Sequence, residues 1–89
     1  MINKEVKEKS LIRLKKIEGQ VRGISNMLEN EKYCIDILNQ VSVVKGALDK
    51  VALMVMRRHI ESCVTEAIKS GEPAKKIGEL MDTINRFVK

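Results

Sequence analysis

From Tyr33 to Lys69 no proline interrupts the chain and Gly46 is the only glycine. Across that stretch Leu38, Val41, Val44, Leu48, Val51, Val55 and Ile60 keep helical spacing, the pattern of an apolar stripe on a helix. One unbroken helix of this length would run for ~55 Å at ~1.5 Å per residue. That is longer than the core a chain of 89 residues can form, since domains of this size bury only ~60% of the surface their unfolded chains expose. Much of the stripe therefore needs other chains to cover it, and oligomerisation follows.

The flanking segments complete an all-α, three-helix subunit. From Lys4 to Glu29, the residues Leu11, Leu14, Ile17, Val21, Ile24 and Leu28 form one stripe that is expected to be buried. The polar segment ENEKY, residues 29–33, ends this pattern, with Asn30 suited to the left-handed conformation that terminates a helix. Ser70-Gly71-Glu72-Pro73 stops the long helix, because glycine suits the position after a helix end and proline the first turn of the next. Ile77, Leu80, Met81, Ile84 and Val88 then predict a short third helix, so residues 1–89 read as a single helical domain.

The formal net charge of +5 points to a polyanionic partner, because lysine and arginine gain from releasing the counterions condensed on nucleic acid. Lys9, Arg13 and Lys16 follow at i, i+4 and i+7 on the first helix, with Lys15 and Arg22 nearby. Glu5, Glu8 and Glu18 are interspersed, so the row also fits ordinary solvated surface. With one Tyr, one Phe and no Trp there are few rings on which single-stranded bases could stack, which favours a duplex. No opening apolar run resembles a signal peptide and no stretch approaches a membrane span, so a cytoplasmic protein is expected. There is no Gly-rich phosphate loop and no Ser/His/Asp constellation, and a lone histidine without an ordered base is poor material for an enzyme.

The stretch RRHIESCV, residues 57–64, holds the single histidine and one of the two cysteines. His59 and Cys63, at i and i+4, lie one above the other on a helix face and can converge on one ion, although such a pair is often only packing. Cys34 strengthens the metal reading. At ~100° per residue, both the 25 positions to His59 and the 29 to Cys63 return to within ~20° of whole turns, so all three share one stripe. Along a continuous helix Cys34 and His59 are ~37 Å apart, so one chain cannot gather them. Two long helices crossing antiparallel would bring residue i of one chain to roughly residue 95 minus i of the other, placing Cys34 opposite the His59/Cys63 turn of a two-fold partner. The pairing centre falls near Gly46 and Ala47, small residues that suit a close helix approach. Two thiolates and one imidazole make a soft, three-donor set that suits Cu(I), with zinc completed by a carboxylate or water as the next choice. A redox role for Cys34 and Cys63 is open as well.

Taken together, RLKKIEGQVRGI at 13–24, Tyr33-Cys34, QVSVVKGAL at 40–48, HIESCV at 59–64 and Glu79 resemble the copper-sensing operon repressor (CsoR) family of bacterial metal and thiol sensors. The resemblance implies an all-helical homodimer, paired into a homotetramer, that represses transcription until its effector binds. It implies Cys34 of one subunit and His59 with Cys63 of the other as Cu(I) ligands, and Tyr33 and Glu79 as residues hydrogen-bonded around the histidine. It also links Arg13 and Lys50 to operator DNA, with Lys9 and Lys16 extending that patch. Nickel and cobalt sensors of the family carry a further histidine near the amino terminus, whereas this chain has no other. Persulfide sensors lack the histidine at the position of His59, and formaldehyde sensors lack the cysteine at the position of Cys63. The expected function is a Cu(I)-released repressor of copper export or buffering genes, with double-stranded operator DNA as partner and a copper chaperone as a candidate metal donor. The alternatives are a persulfide or redox sensor using Cys34 and Cys63, and a metal buffer without a DNA role.

Overall fold

The computed structural model describes residues 2–88 and contains three helices in the order α1 (Lys4–Glu29), α2 (Cys34–Ser70) and α3 (Pro73–Val88). Asn3 starts α1 by accepting a 2.9 Å hydrogen bond from the Val6 N–H on its side-chain oxygen, which satisfies one of the amides a helix start leaves unpaired. The α2 helix is continuous for 37 residues and Gly46 does not break it. Gly71 closes it at φ +74°, a left-handed conformation that costs glycine nothing, and Pro73 opens α3.

The α1–α2 turn differs from expectation in one residue. Asn30 stays at φ −89°, its amide donating to the Asn26 carbonyl at 2.9 Å, and the left-handed residue is Glu31 at φ 53°. The Glu31 N–H donates to the Leu28 carbonyl at 3.1 Å and the Lys32 N–H to the Met27 carbonyl at 2.9 Å, the paired bonds of a Schellman turn. Asn30 satisfies the last helical turn with its side chain, so the next residue must make the reversal.

Both α1 and α3 pack on α2 and, among the described residues, not on each other. The result is a single layer of helices measuring 59 × 28 × 13 Å. Its thickness matches one helix diameter of about 10–12 Å, so the layer has no interior in which a side chain could be covered on all sides. Accordingly, among the described residues no large side chain is fully buried, and the core reduces to Ile17, Val44 and Val51 with Ile24 and Ala47 against them, plus Cys63, Ala67 and Leu80 where α3 crosses α2. The radius of gyration is 17.8 Å, against about 12 Å for a compact chain of this length. The accessible surface is 7090 Å², about 1,800 Å² above the ~5,300 Å² typical of a folded monomer of this mass.

The first-helix stripe divides accordingly. Ile17 and Ile24 face α2, whereas Leu11, Leu14, Val21 and Leu28 remain exposed because nothing lies on that side of the layer. On α2, Leu38, Val41, Leu48 and Val55 are likewise exposed. Ala47 and Gly46 do not lie on this outward stripe. Ala47 packs into the α1–α2 core, where its small size admits α1, and Gly46 lines the groove beside it with open space where a Cβ would stand.

Candidate metal centre and nucleic-acid interface

His59 and Cys63 occupy successive turns of α2 and open onto one cleft of about 160 Å³, closed on its other side by Lys76, Glu79 and Thr83 of α3. Spacings of three and four residues place those α3 side chains in one row facing α2. Cys63 is buried beneath α3, and its thiol donates to the Lys76 carbonyl with an Sγ···O distance of 3.4 Å. Lys76 Nζ in turn lies 3.6 Å from Glu66 Oε2, a second tie between the helices around the cleft. His59 is half-buried and Glu79 exposed. Ser62 and Glu66 complete the lining. Sequence periodicity did not single out Ser62, Glu66, Lys76 or Thr83, although the spacing of 76, 79 and 83 marks one helix face.

Cys34 stands at the opposite end of α2 and is exposed, next to the exposed Tyr33. Among the described residues no three His, Cys, Asp or Glu side chains converge within the chain. This follows from the continuity of α2, which holds Cys34 and His59 ~37 Å apart. The structure lines one cleft with His59, Cys63 and Glu79 without converging them on a single point, and leaves Cys34 with Tyr33 at the far end. Within one chain the cleft offers a metal one thiol and one imidazole, with the carboxylates of Glu66 and Glu79 on its lining.

The cationic residues lie elsewhere. Arg13, Lys16 and Gln20 of α1 face Ser42, Val43, Gly46 and Lys50 of α2 across a groove of about 340 Å³ floored by Ile17 and Ala47. Lys50 is 16 positions from Cys34, which at ~100° per residue puts it ~160° round the helix from the cysteine. Soft donors and cationic groove therefore occupy opposite faces of α2. Among the described residues no carboxylate pairs with Arg13, Lys16 or Lys50. Lys9 falls in the next hollow of the seam, its Nζ 2.8 Å from Glu5 Oε1, and this hydrogen bond and charge hold the Glu5 carboxyl below its usual range.

An all-helical layer with soft donors on one face and unpaired cations on the other is the architecture of a small ligand-responsive regulator. The chain belongs to the metal-sensitive transcriptional repressor family, which it matches over residues 6–86. It is 52% identical to the copper-sensing transcriptional repressor CsoR of Bacillus subtilis, over 98% of this chain and 88% of that protein. The copper-sensing repressor CsoR with Cu(I) from Geobacillus thermodenitrificans superposes with a TM-score of 0.85 at 45% identity, covering 100% of this chain and 93% of that one. The nickel-responsive transcriptional regulator InrS gives 0.83 at 36% identity, covering 90% of each. The all-α fold expected from the sequence, and the family its motifs resemble, are thus both borne out. No described helix is long and apolar enough to cross a membrane.

Proposed function

We propose that this chain is a cytoplasmic, Cu(I)-responsive transcriptional repressor that holds operator DNA in its metal-free state and releases it when Cu(I) binds. The observation that carries this reading is the placement of His59 and Cys63 at one cleft with Cys34 on the same helical stripe, out of reach within the chain. Two copies of α2 crossing antiparallel, with residue i near residue 95 minus i, supply Cys34 from one protomer and His59 with Cys63 from the other, twice per dimer. The exposed stripe of Leu38, Val41, Leu48 and Val55 becomes the contact between them, and pairing of dimers gives a homotetramer.

Two thiolates and an imidazole are soft donors that favour Cu(I) and leave zinc one ligand short. A single histidine is a poor set for Ni(II), which favours nitrogen and tetragonal geometry. Cu(I), when bound, supplies a link between the two protomers. Around it, Glu79 reaches the His59 cleft from its own chain and Tyr33 enters beside Cys34 of the other, where hydrogen bonds can fix the imidazole. Arg13, Lys16 and Lys50, with Lys9 beyond them, face phosphates of the operator on the outer side. Release requires that Cu(I) bind the DNA-free form more tightly by a coupling of typically ~1–3 kcal/mol, and operator DNA must then weaken Cu(I) binding by the same factor. The protein binds and signals and is not an enzyme. A copper chaperone is a candidate source of the metal.

The exposure of Cys34 favours a second reading, a thiol sensor bridged between Cys34 and Cys63 of different protomers. His59 and Glu79 beside Cys63 favour the metal. Fluorescence anisotropy of a labelled duplex from the promoter region of the chain's own gene, titrated with Cu(I), Zn(II), Ni(II) and a persulfide donor, separates the two. Release by Cu(I) alone is expected. Release by the persulfide donor without an effect of Cu(I) would install the thiol reading, and a protein that binds no such duplex would remove both.

A further inference from the structure

The groove between α1 and α2 extends beyond the Arg13–Lys50 patch. Toward the start of α1, Val6 and Lys9 face Met54, Arg57 and Glu61 across a second hollow of about 320 Å³. On α1 the lining positions 6, 9, 13, 16 and 20, and on α2 positions 43, 46, 50, 54, 57 and 61, follow at intervals of three and four, so the hollows are consecutive stretches of one groove. From 43 to 61 it follows ~27 Å of helix axis, comparable with about eight base-pair steps of ~3.4 Å.

Charge along this groove is uneven. The Arg13, Lys16 and Lys50 stretch carries no paired carboxylate among the described residues. In the second stretch Arg57 Nε lies 3.4 Å from Glu61 Oε1, and Glu61 Oε2 lies 3.8 Å from Arg58 Nη1. The Arg57 side chain is 85% exposed, so its pair with Glu61 sits in water, where such pairs are weak and screened by salt. A phosphate offers the guanidinium a bidentate partner that this one-oxygen contact does not. Neither hollow is lined by an aromatic ring, which argues against single-stranded nucleic acid.

We propose that Arg57 is a further phosphate contact for double-stranded DNA on this groove, and that Glu61, by occupying it, restrains the affinity of the DNA-free protein. This rests on the DNA-binding reading above. The track then runs from Lys16 through Arg13 and Lys50 to Arg57 on the face of α2 opposite Cys34, and Glu61 is exchanged for phosphate when the duplex docks.

The test uses the full chain and two labelled duplexes, the promoter-region sequence and a scrambled one of equal length, followed by anisotropy across a salt series. A phosphate contact carries a salt slope of about 0.9, so Arg57→Ala should weaken both duplexes about 8-fold near ~0.1 M salt and flatten the slope by about one unit per arginine engaged. Arg57→Lys should keep the slope. Glu61→Gln should tighten binding, and most of that gain should vanish in the Arg57→Ala background. Arg57 is solvent-exposed, so circular dichroism should show all variants folded. Unchanged affinity and slope in Arg57→Ala, or a Glu61→Gln gain that survives without Arg57, overturns the proposal. Arg13→Ala and Lys50→Ala run alongside. If they weaken binding and Arg57→Ala does not, only this extension fails, and if none has an effect the DNA reading itself fails. Polyglutamate competing as well as duplex would mark the groove as an acidic-peptide site and overturn the assignment.

Discussion

Replacing Leu48 with glutamate tests whether the outward stripe of α2 is a contact between two copies of the chain. Leu48 is 44% exposed, lies ~40° from Cys34 round the helix, and sits at the axial centre of the proposed crossing. Fully burying a leucine contributes about 1.5–3 kcal/mol. The exposed fraction leaves about 0.7–1.3 kcal/mol to be gained on pairing, hence about 1.5–2.5 kcal/mol for the two copies a two-fold axis brings together. A carboxylate there forfeits that gain and must be desolvated close to its own symmetry mate, an effective penalty of several kcal/mol per ion. The combined loss exceeds about 4 kcal/mol, so association should weaken by more than about 10³-fold. Sedimentation equilibrium across a concentration series should find Leu48→Glu mostly monomeric where the parent and the volume-matched Leu48→Met are assembled, with helicity followed by circular dichroism. A Leu48→Glu protein that assembles like the parent would refute the pairing, and with it the sharing of Cys34, His59 and Cys63 between chains.

Sharing can also be tested by exchange. Cys34→Ala and Cys63→Ala each damage both sites of their own dimer, but a mixed dimer restores one full site, so mixing the two should recover tight Cu(I) binding in competition with a chelator. Recovery of none would show that the donors do not come from different chains. Separately, Glu31→Gly should remove the left-handed strain at φ 53°, worth about 1–2 kcal/mol, against an entropic cost of roughly 0.5–1 kcal/mol for glycine. The net gain of about 0.5 kcal/mol should raise Tm by about 2–4 °C, read by thermal circular dichroism at fixed protein concentration. An unchanged or lower Tm would mean that the Schellman turn tolerates Glu31 without strain.

The helices were legible because their signals are local. Apolar spacing, the missing prolines and Gly71-Glu72-Pro73 placed α1 on Lys4–Glu29 and α2 within one residue of the expected span, while α3 begins at Pro73, before its first apolar residue Ile77, because proline suits the first helical turn. The common stripe of Cys34, His59 and Cys63 was likewise readable, since a rotation of ~100° per residue sets the azimuth of every side chain on its own helix. What that azimuth meets is decided by where the other helices dock. Leu11, Val21 and Leu28 share the period of Ile17 yet stay exposed because α2 lies against Ile17 and nothing lies beyond. Ala47 admits α1, Cys63 is covered by α3, and Arg13 joins the track of Lys50 and Arg57 only because α1 runs antiparallel beside α2. Periodicity thus determined the helices and the face each residue occupies. Only the tertiary structure decided which faces are buried, grooved or left for a partner, because those contacts join positions far apart in the chain and carry no period along it.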